Sequence, residues 1–336
     1  MSNDEIASLV SNGSFPCPCH SPKLVETHIS WVILCDEYVF KIKKPVHYSF
    51  LDFSTIEIRK YYCEREVALN NRLTTDIYLD VLPIIRTSTS FAIGSSDGEV
   101  ADYAVRMRRL KGDLQMDILL RAGKVTDEQI RSLAQQVAAF HRKATIVDPD
   151  NILDISDKFN DLANEKDFLS EQLGSSAGNA IANALEQSEK FMVRNRDLLT
   201  SRVREGFTRD CHGDLHSRNI FLYEPPVIFD CIEFNDDYRQ IDLLNEVAFL
   251  CMDLDAFGYE KLGNLFLNAY QEHFSILRND EEEKLFHYYK SYRANVRAKV
   301  NSLRARSATD EKTRTAALKE SSRYLDLMNR YIDRIS

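Results

Sequence analysis

The strongest constraint on this chain is a polar segment followed by two short apolar runs. The segment reads CHGDLHSRN, and the apolar runs at 220–222 and 227–229 follow it, separated by four residues that include two prolines. Prolines interrupt strand pairing and favour turns, so the two runs are predicted to form a β-hairpin. That hairpin would bring Asn219, at its start, beside Asp230, at its end. Such a segment is poorly suited to a hydrophobic core and well suited to binding metal and phosphate.

Asp214 lies in the loop just before the hairpin, so three oxygen-bearing side chains are expected to converge. Crowded carboxylates repel one another unless a hard cation joins them, and oxygen ligands suit Mg²⁺. In phosphoryl transfer one Asp accepts the nucleophile's proton, while an Asn and a second Asp hold the metal. Asp214 and Asn219 are separated by four residues, as are the Asp and Asn of the kinase catalytic loop. We therefore predict Asp214 as the catalytic base and Asn219 and Asp230 as ligands of Mg²⁺.

A lysine and a glutamate in the first hundred residues form a second candidate pair. Lys41 shares a predicted strand face with Val39, and a lysine on a partly buried face needs an anionic partner. Lys43 lies on the same face two residues later, so spacing alone does not separate the two. Glu66 completes the packing face of the next predicted helix, and a carboxylate at such a position requires a cation. We predict an ion pair between Glu66 and Lys41.

That helix is predicted to begin at Ser54, which forms a capping-box pattern with Glu57. Its apolar stripe is expected to consist of Ile58, Tyr62, Leu69 and Leu73.

Length, charge and cysteine content exclude several classes of protein. The chain has 336 residues, 44% of them hydrophobic, and a formal charge of −9, which predicts two lobes and argues against a surface that binds nucleic acid or membrane. No apolar run approaches the ~20 residues that span a bilayer, and the N-terminus does not resemble a signal peptide. Seven scattered cysteines predict reduced thiols in a cytoplasmic protein. The CPCH sequence at 17–20 lacks a second pair of zinc ligands.

The motifs HGDLHSRN and VIFD resemble the catalytic and metal-binding segments of the aminoglycoside phosphotransferase family, the small-molecule branch of the protein-kinase-like fold. This resemblance implies an α+β bilobal fold. Residues 1–107 would form a nucleotide-binding lobe with a small antiparallel sheet, and residues 108–336 a mostly helical lobe with the catalytic loop and the acceptor site. It further implies ATP and Mg²⁺ as cofactors and a hydroxyl group of a small molecule as the phosphate acceptor.

The same resemblance assigns roles to residues of the first lobe. By motif order, Lys41 matches the strand lysine that contacts the phosphates of ATP, and Glu66 matches the residue that aligns it. Met107 and Arg108 match the hinge, where the adenine would bind main-chain groups.

Three departures weigh against a protein kinase. Asp230 is followed by Cys231 and Ile232 rather than Phe-Gly, His216 stands where a lysine is usual, and no GxGxxG lies between the first two strands. A Ser/Thr protein kinase and a non-catalytic nucleotide-binding regulator remain the alternative functions. Residues 39–46, 51–55 and 229–235 resemble an uncharacterised bacterial subgroup that is often fused to a P-loop kinase. This chain has no GxxxxGK[ST] motif, so a separate P-loop kinase is a candidate partner.

Four other features leave a choice of interpretation or predict a structural role. His212 is predicted to orient the catalytic loop rather than to carry a proton. Glu233 is predicted either to assist the metal or substrate or to be a solvated acid. Asp242 is predicted to cap a helix. The cations Lys290, Arg293 and Arg297 share one helix face, which would either bind an anionic substrate or pair with the acidic residues Asp236 and Asp237.

Overall fold

A computed structural model of the chain describes residues 1–48 and 51–335, which divide into two compact units. The first unit comprises Met1–Ile118 and Asn219–Tyr238, and the second comprises Leu119–Arg218 and Arg239–Ser336. The predicted division into lobes at 1–107 and 108–336 stays a prediction.

The helices and strands are numbered separately in chain order. The helices are α1 (Asn3–Asn12), α2 (Ile56–Asn70), α3 (Met116–Arg121), α4 (Asp127–Lys143), α5 (Asp154–Asn160), α6 (Lys166–Leu173), α7 (Ser175–Arg194), α8 (Arg196–Arg204), α9 (Leu243–Ala256), α10 (Glu260–His273), α11 (Asp280–Ser307) and α12 (Glu311–Ile332). The strands are β1 (Lys23–Glu26), β2 (Ser30–Leu34), β3 (Tyr38–Lys43), β4 (His47–Tyr48), β5 (Leu51–Asp52), β6 (Tyr78–Arg86), β7 (Phe91–Ile93), β8 (Glu99–Arg108), β9 (Thr208–Asp210), β10 (Ile220–Phe221), β11 (Val227–Ile228) and β12 (Gln240–Asp242).

The first unit is built on a six-stranded antiparallel sheet in the order β1-β2-β3-β8-β6-β7. Successive side chains of a strand point to opposite faces, and β3 shows the consequence. Phe40 and Ile42 pack in the core cluster that contains Ile6 and Leu9 of α1. Val39 packs instead with Cys63 of α2. Lys41 and Lys43 have the parity of Val39, so both face the α2 side of the sheet.

Helix α2 begins slightly later than the capping-box pattern predicts. Its N-cap is Thr55, whose side chain accepts the N–H of Ile58 at 3.3 Å. Asp52 accepts the N–H of Ser54 at 2.8 Å, which turns the chain one residue before the helix. The predicted Ser54 cap is therefore wrong by one position.

The buried face of α2 is polar, in contrast to the predicted apolar stripe. It consists of Arg59, Cys63, Glu66 and Asn70. Glu66 and Leu73 of the predicted face are buried, but Ile58, Tyr62 and Leu69 are only half-buried. The buried face is therefore displaced from the predicted stripe toward Arg59 and Cys63. The physical reason is that this face packs against charged partners; Arg59 Nε, for example, donates to the fully buried Asp102 at 3.0 Å.

The second unit is mostly helical, with α9 at its centre. Every side chain of α9 from Leu243 to Leu254 is buried, as expected for a helix covered on all sides by other helices. It packs against α10, α11 and α12, and α11 also packs along α12. The sheet of the first unit and the helices of the second give the kinase-like α+β fold that the sequence predicts.

One prediction about the cysteines is wrong. Cys19 is disulfide-bonded to Cys35, and their Cα atoms are 4.7 Å apart. The chain before β1 folds back onto the turn between β2 and β3, a proximity that sequence spacing does not reveal. The other five cysteines are free thiols.

Among residues 1–48 and 51–335, no helix is both long and apolar enough to cross a membrane.

Candidate active site

Lys41 lies between two carboxylates in the first unit. Its Nζ is 2.8 Å from Glu66 Oε1 and 2.7 Å from Asp230 Oδ1. Burial alone would lower the pKa of Lys41, but Asp230 and Glu66 outweigh it and raise that pKa well above its usual value. The predicted ion pair of Lys41 with Glu66 is thus confirmed as a contact, and Asp230 is brought to the same amine.

Lys43 reaches the same glutamate from the next position on this face. Its Nζ is 2.7 Å from Glu66 Oε2, and it also donates to a carboxylate oxygen of Glu233. Burial raises the pKa of Glu66, but the two lysines lower it by more, to about 2. The prediction of Glu233 as a solvated acid is wrong, because Glu233 is 3% exposed.

The backbone at Asp230 has an unusual conformation that neighbouring side chains hold. Asp230 has a φ of +64°, the left-handed region that non-glycine residues rarely adopt. Its N–H donates to the Tyr78 hydroxyl at 3.0 Å, and the N–H of Cys231 donates to Asn70 Oδ1 at 2.9 Å. The backbone of Asp230 is thus held in place. Its side chain is 42% exposed, so its carboxylate is open to a ligand.

The predicted hairpin is present, and Asn219 and Asp230 lie at the same end of it. Strands β10 and β11 pair with Ile220 opposite Ile228. The N–H of Phe229, which precedes Asp230, donates to the backbone oxygen of Asn219 at 3.1 Å. The structure therefore joins the two predicted metal ligands at one end of the hairpin, while their role stays a prediction.

Asp214 lies in the second unit, and two histidines contact it. The N–H of Asp214 donates to His212 Nδ1 at 3.1 Å, and His216 Nε2 is 3.3 Å from Asp214 Oδ2. His216 Nδ1 accepts the N–H of Arg218 at 3.2 Å, so a neutral His216 carries its proton on Nε2, facing the carboxylate. Burial raises the pKa of Asp214, but His216, Arg297 and His212 lower it by more, and the net pKa is well below its usual value.

The loop that carries Asp214 is held by buried side chains of α9 and α11. Glu246 accepts the N–H groups of His212 and Gly213 at 2.8 Å and 3.1 Å. Arg293 Nη1 donates to the carbonyl of Gly213 at 3.0 Å. Gly213 has a φ of +89°, which L side chains rarely adopt. Both backbone polar groups of the residue before Asp214 are thus fixed by the side chains of Glu246 and Arg293, which sequence reasoning missed.

A third side chain, Asp253 of α9, holds the loop on the other side of Asp214. Asp253 Oδ2 accepts the N–H of Ser217 at 2.9 Å and also its hydroxyl. Burial raises the pKa of Glu246 to about 7, against the opposing effects of Arg293 and the two backbone amides. For Glu246 and Asp253, the signal in the sequence was an acidic residue inside an otherwise apolar helix.

Asp242 caps α9, as predicted. Its Oδ1 accepts the N–H of Leu244 at 2.7 Å. Both carboxylate oxygens also bind the fully buried Arg202, at 2.7 Å and 2.8 Å. Asp242 therefore has a structural function, and the loop that carries Asp214 is held by Glu246 and Asp253.

The three cations of α11 are buried rather than displayed on a surface. Lys290 pairs with Asp255, and Arg293 donates to Asn245 Oδ1 at 2.7 Å as well as to the carbonyl of Gly213. Arg297 is 9% exposed. Asp236 pairs instead with Arg65 of α2.

The predicted hinge residues lie at the end of β8. Met107 is paired with Val39 and Tyr78 across the sheet. The N–H of Arg108 donates to the carbonyl of Ile77 at 2.9 Å, so this amide is already hydrogen-bonded within the first unit. Binding of adenine at Met107 and Arg108 stays a prediction.

Known proteins resemble this chain in sequence and in fold. The model of the phosphotransferase enzyme family matches residues 71–286. Uncharacterized proteins of Mycobacterium bovis and of Mycobacterium tuberculosis are 31% identical over 285 residues, which cover 83% of this chain and 54% of theirs. The chain thus spans about half the length of these curated relatives.

Three solved structures share the fold at low sequence identity. Spectinomycin phosphotransferase in its AMP complex has a TM-score of 0.55 at 11% identity and covers 98% of each chain. Choline kinase from Cryptosporidium parvum has a TM-score of 0.53 at 12% identity and covers 94% of this chain and 90% of its own. An aminoglycoside phosphotransferase in complex with GDP and kanamycin has a TM-score of 0.51 at 15% identity, covering 92% and 94%. Because the family model spans more than half of the sequence, this chain belongs to the phosphotransferase enzyme family.

Proposed function

We propose that this protein transfers the γ-phosphoryl group of ATP to a hydroxyl group of a small molecule. Membership of the phosphotransferase family supports the kinase type of chemistry. The observation that carries the proposal is the position of Lys41, whose amine is within 2.8 Å of both Glu66 and Asp230. If the half-exposed carboxylate of Asp230 bound a metal ion, the Lys41 amine would be free to bind an anion, while the buried carboxylate of Glu66 would still hold it in place.

The residues near Lys41 fit a nucleotide and its magnesium ion. Asp230 and Asn219 offer oxygen ligands, few in number, and Mg²⁺ is commonly held by one or two protein carboxylates together with phosphate oxygens. Bound Mg²⁺ would neutralise charge on the phosphates. Lys41 would bind phosphate oxygens and Glu66 would keep its amine in place. The AMP and GDP bound by two proteins of the same fold support a nucleotide site, which we assign to residues 1–107.

Asp214 would act on the acceptor. Its carboxylate is ionised at neutral pH because its pKa is low, and it would orient the acceptor hydroxyl and receive its proton. The hydroxyl oxygen would form a bond to the γ-phosphorus as the bond from that phosphorus to the β-phosphate bridging oxygen breaks, leaving ADP. Glu246 and Arg293 would keep Asp214 at a fixed position during this step.

The acceptor is proposed to be a small molecule that binds in residues 108–336. Spectinomycin, kanamycin and choline are named for proteins of this fold, and they share free hydroxyl groups on small polar molecules. We place the reaction in the cytoplasm, which supplies MgATP. A separate P-loop kinase is a proposed partner, and co-purification of such a protein with this chain would test it.

The proposed activity is tested by ADP release from the purified protein with MgATP and a panel of sugars, amino alcohols, nucleosides and aminoglycosides. We expect one class of acceptor to stimulate ADP release, and excess EDTA to abolish it. Phosphorylation of proteins without turnover of any small molecule would contradict the proposed acceptor. MgATP that raises the melting temperature without any phosphoryl transfer would contradict the enzymatic function and favour a regulator.

A further inference from the structure

Five charged side chains of the first unit form a continuous row of alternating sign. The order is Asp230, Lys41, Glu66, Lys43 and Glu233, and each neighbour in the row is hydrogen-bonded to the next. The phosphotransferase proposal uses the first three members. The last two, Lys43 and Glu233, have no assigned function.

The row runs from solvent into the protein interior. The side chain of Asp230 is 42% exposed and that of Lys41 is 15% exposed, whereas that of Lys43 is 1% exposed. Lys43 Nζ also lies 4.9 Å from the centroid of the Phe53 ring. Lys43 is thus enclosed by its protein partners, and any effect that it has on a ligand must pass through Glu66 or Glu233.

Lys43 gives Glu66 a second hydrogen bond, which does not depend on Lys41. Glu66 is fully buried and binds one lysine with each carboxylate oxygen. If Lys41 moved toward a phosphate, Glu66 would still be held through Oε2 by Lys43. Without Lys43, that oxygen would be a buried acceptor with no charged partner, an arrangement that proteins rarely tolerate.

Glu233 extends the same anchor to the segment that carries Asp230. Two residues, Cys231 and Ile232, separate Asp230 from Glu233. The N–H of Asp230 donates to Tyr78, and the N–H of Cys231 donates to Asn70. The left-handed conformation of Asp230 persists only where surrounding contacts determine it. The Lys43 contact adds a side-chain tether from this segment to strand β3.

We propose that Lys43 and Glu233 are positioning residues that hold Glu66 and the Asp230 segment in the arrangement required for binding a metal-nucleotide complex. This inference rests on the proposed function, because it assumes that Asp230 holds Mg²⁺. A buried ion pair usually adds little net stability, since desolvation offsets the attraction. The pair instead fixes the geometry of Asp230 relative to β3.

The test separates this function from a merely structural one by measuring the effect of Mg²⁺ on nucleotide affinity. Calorimetry gives the dissociation constant of a non-hydrolysable ATP analogue with excess Mg²⁺ and with excess EDTA. Their ratio is the magnesium enhancement. We expect Glu233→Gln, Lys43→Met and the double variant each to reduce this enhancement by roughly tenfold or more, as substitutions behind metal ligands commonly do. The dissociation constant measured in EDTA should change less.

The double variant separates geometry from charge burial. Lys43→Met leaves Glu233 buried without its cation, whereas Lys43→Met combined with Glu233→Gln removes both charges. We expect the double variant to regain part of the melting temperature lost in Lys43→Met but to keep the low magnesium enhancement. An enhancement that recovers together with the melting temperature would overturn the inference. If Lys43→Met does not fold, Glu233→Gln alone decides, because it leaves the Lys43 contact with Glu66 intact.

Lys60→Met is the matched control. Lys60 lies on α2 and forms an exposed pair with Glu64 at 3.8 Å, so we expect no change in the enhancement. If the wild-type protein binds the analogue and its magnesium enhancement equals those of Glu233→Gln, Lys43→Met and the double variant, the inference is overturned and the proposed function stands. Wild-type protein that does not bind the analogue at all would overturn both.

Discussion

Glu66 shares one buried carboxylate between Lys41 and Lys43, so its charge affects both lysines at once. Replacing it by Gln keeps the size of the side chain and removes that charge. Because removing one partner of a buried ion pair is strongly destabilising, we expect the free energy of unfolding to fall by about 3 kcal/mol. We also expect turnover to fall by about 100-fold, as for a misplaced catalytic group. Urea unfolding and ADP release measure these two changes.

Glu64→Gln is the control for that substitution. Glu64 is on the same helix, is 57% exposed, and lies 3.8 Å from Lys60. An exposed pair of this kind contributes roughly 0–1 kcal/mol, so stability and turnover should both stay close to those of the wild-type protein. Turnover by Glu66→Gln equal to that of Glu64→Gln would contradict the function assigned to Glu66.

Among the elements, α9 and α11 hold the loop that carries Asp214 through Glu246 and Arg293. The pKa of Glu246 is raised from 4.5 to about 7 by burial. A carboxyl group with a raised pKa in the folded state holds its proton where the unfolded chain has released it. The stabilisation that comes from this protonation is complete below about pH 4.5 and is lost as the pH rises through about 7.

Glu246→Gln removes this titration. Relative to the variant, the free energy of unfolding of the wild-type protein should fall by about 3 kcal/mol between pH 4.5 and pH 7, at about 1.4 kcal/mol per pKa unit. Chemical denaturation of both proteins across this range measures the difference. A difference that is constant with pH would show that Glu246 does not titrate there.

The elements also show where hydrophobic periodicity is and is not informative. In α9 it does not identify a buried face, because every side chain from Leu243 to Leu254 is buried. In α2 it places Glu66 and Leu73 on the buried face but misses Arg59 and Asn70, which are buried against polar partners. A rule that reads apolar residues as buried cannot identify a helix face that binds charges.

At the scale of the whole molecule, the sequence predicted the fold class and several contacts of the candidate site. The hairpin joining Asn219 to Asp230 follows from the apolar runs and the prolines between them. The kinase-like fold and the choice of Lys41 over Lys43 as the partner of Glu66 follow from the resemblance of the motifs to the phosphotransferase family. Local spacing cannot predict that Glu233 pairs with Lys43 or that Arg293 binds the carbonyl of Gly213. Those contacts join residues far apart in the chain, and only tertiary folding brings them together.

We infer that this protein is a phosphotransferase in which Asp214 receives the acceptor's proton. Two assays compare Asp214→Asn with the wild-type protein, namely acceptor-dependent ADP release and calorimetric affinity for MgATP. We expect turnover to fall by at least about 100-fold, the size of a general-base contribution. The dissociation constant of MgATP should change by less than about threefold, because Asp214 is assigned to the acceptor rather than the nucleotide. Unimpaired turnover by Asp214→Asn would contradict the account.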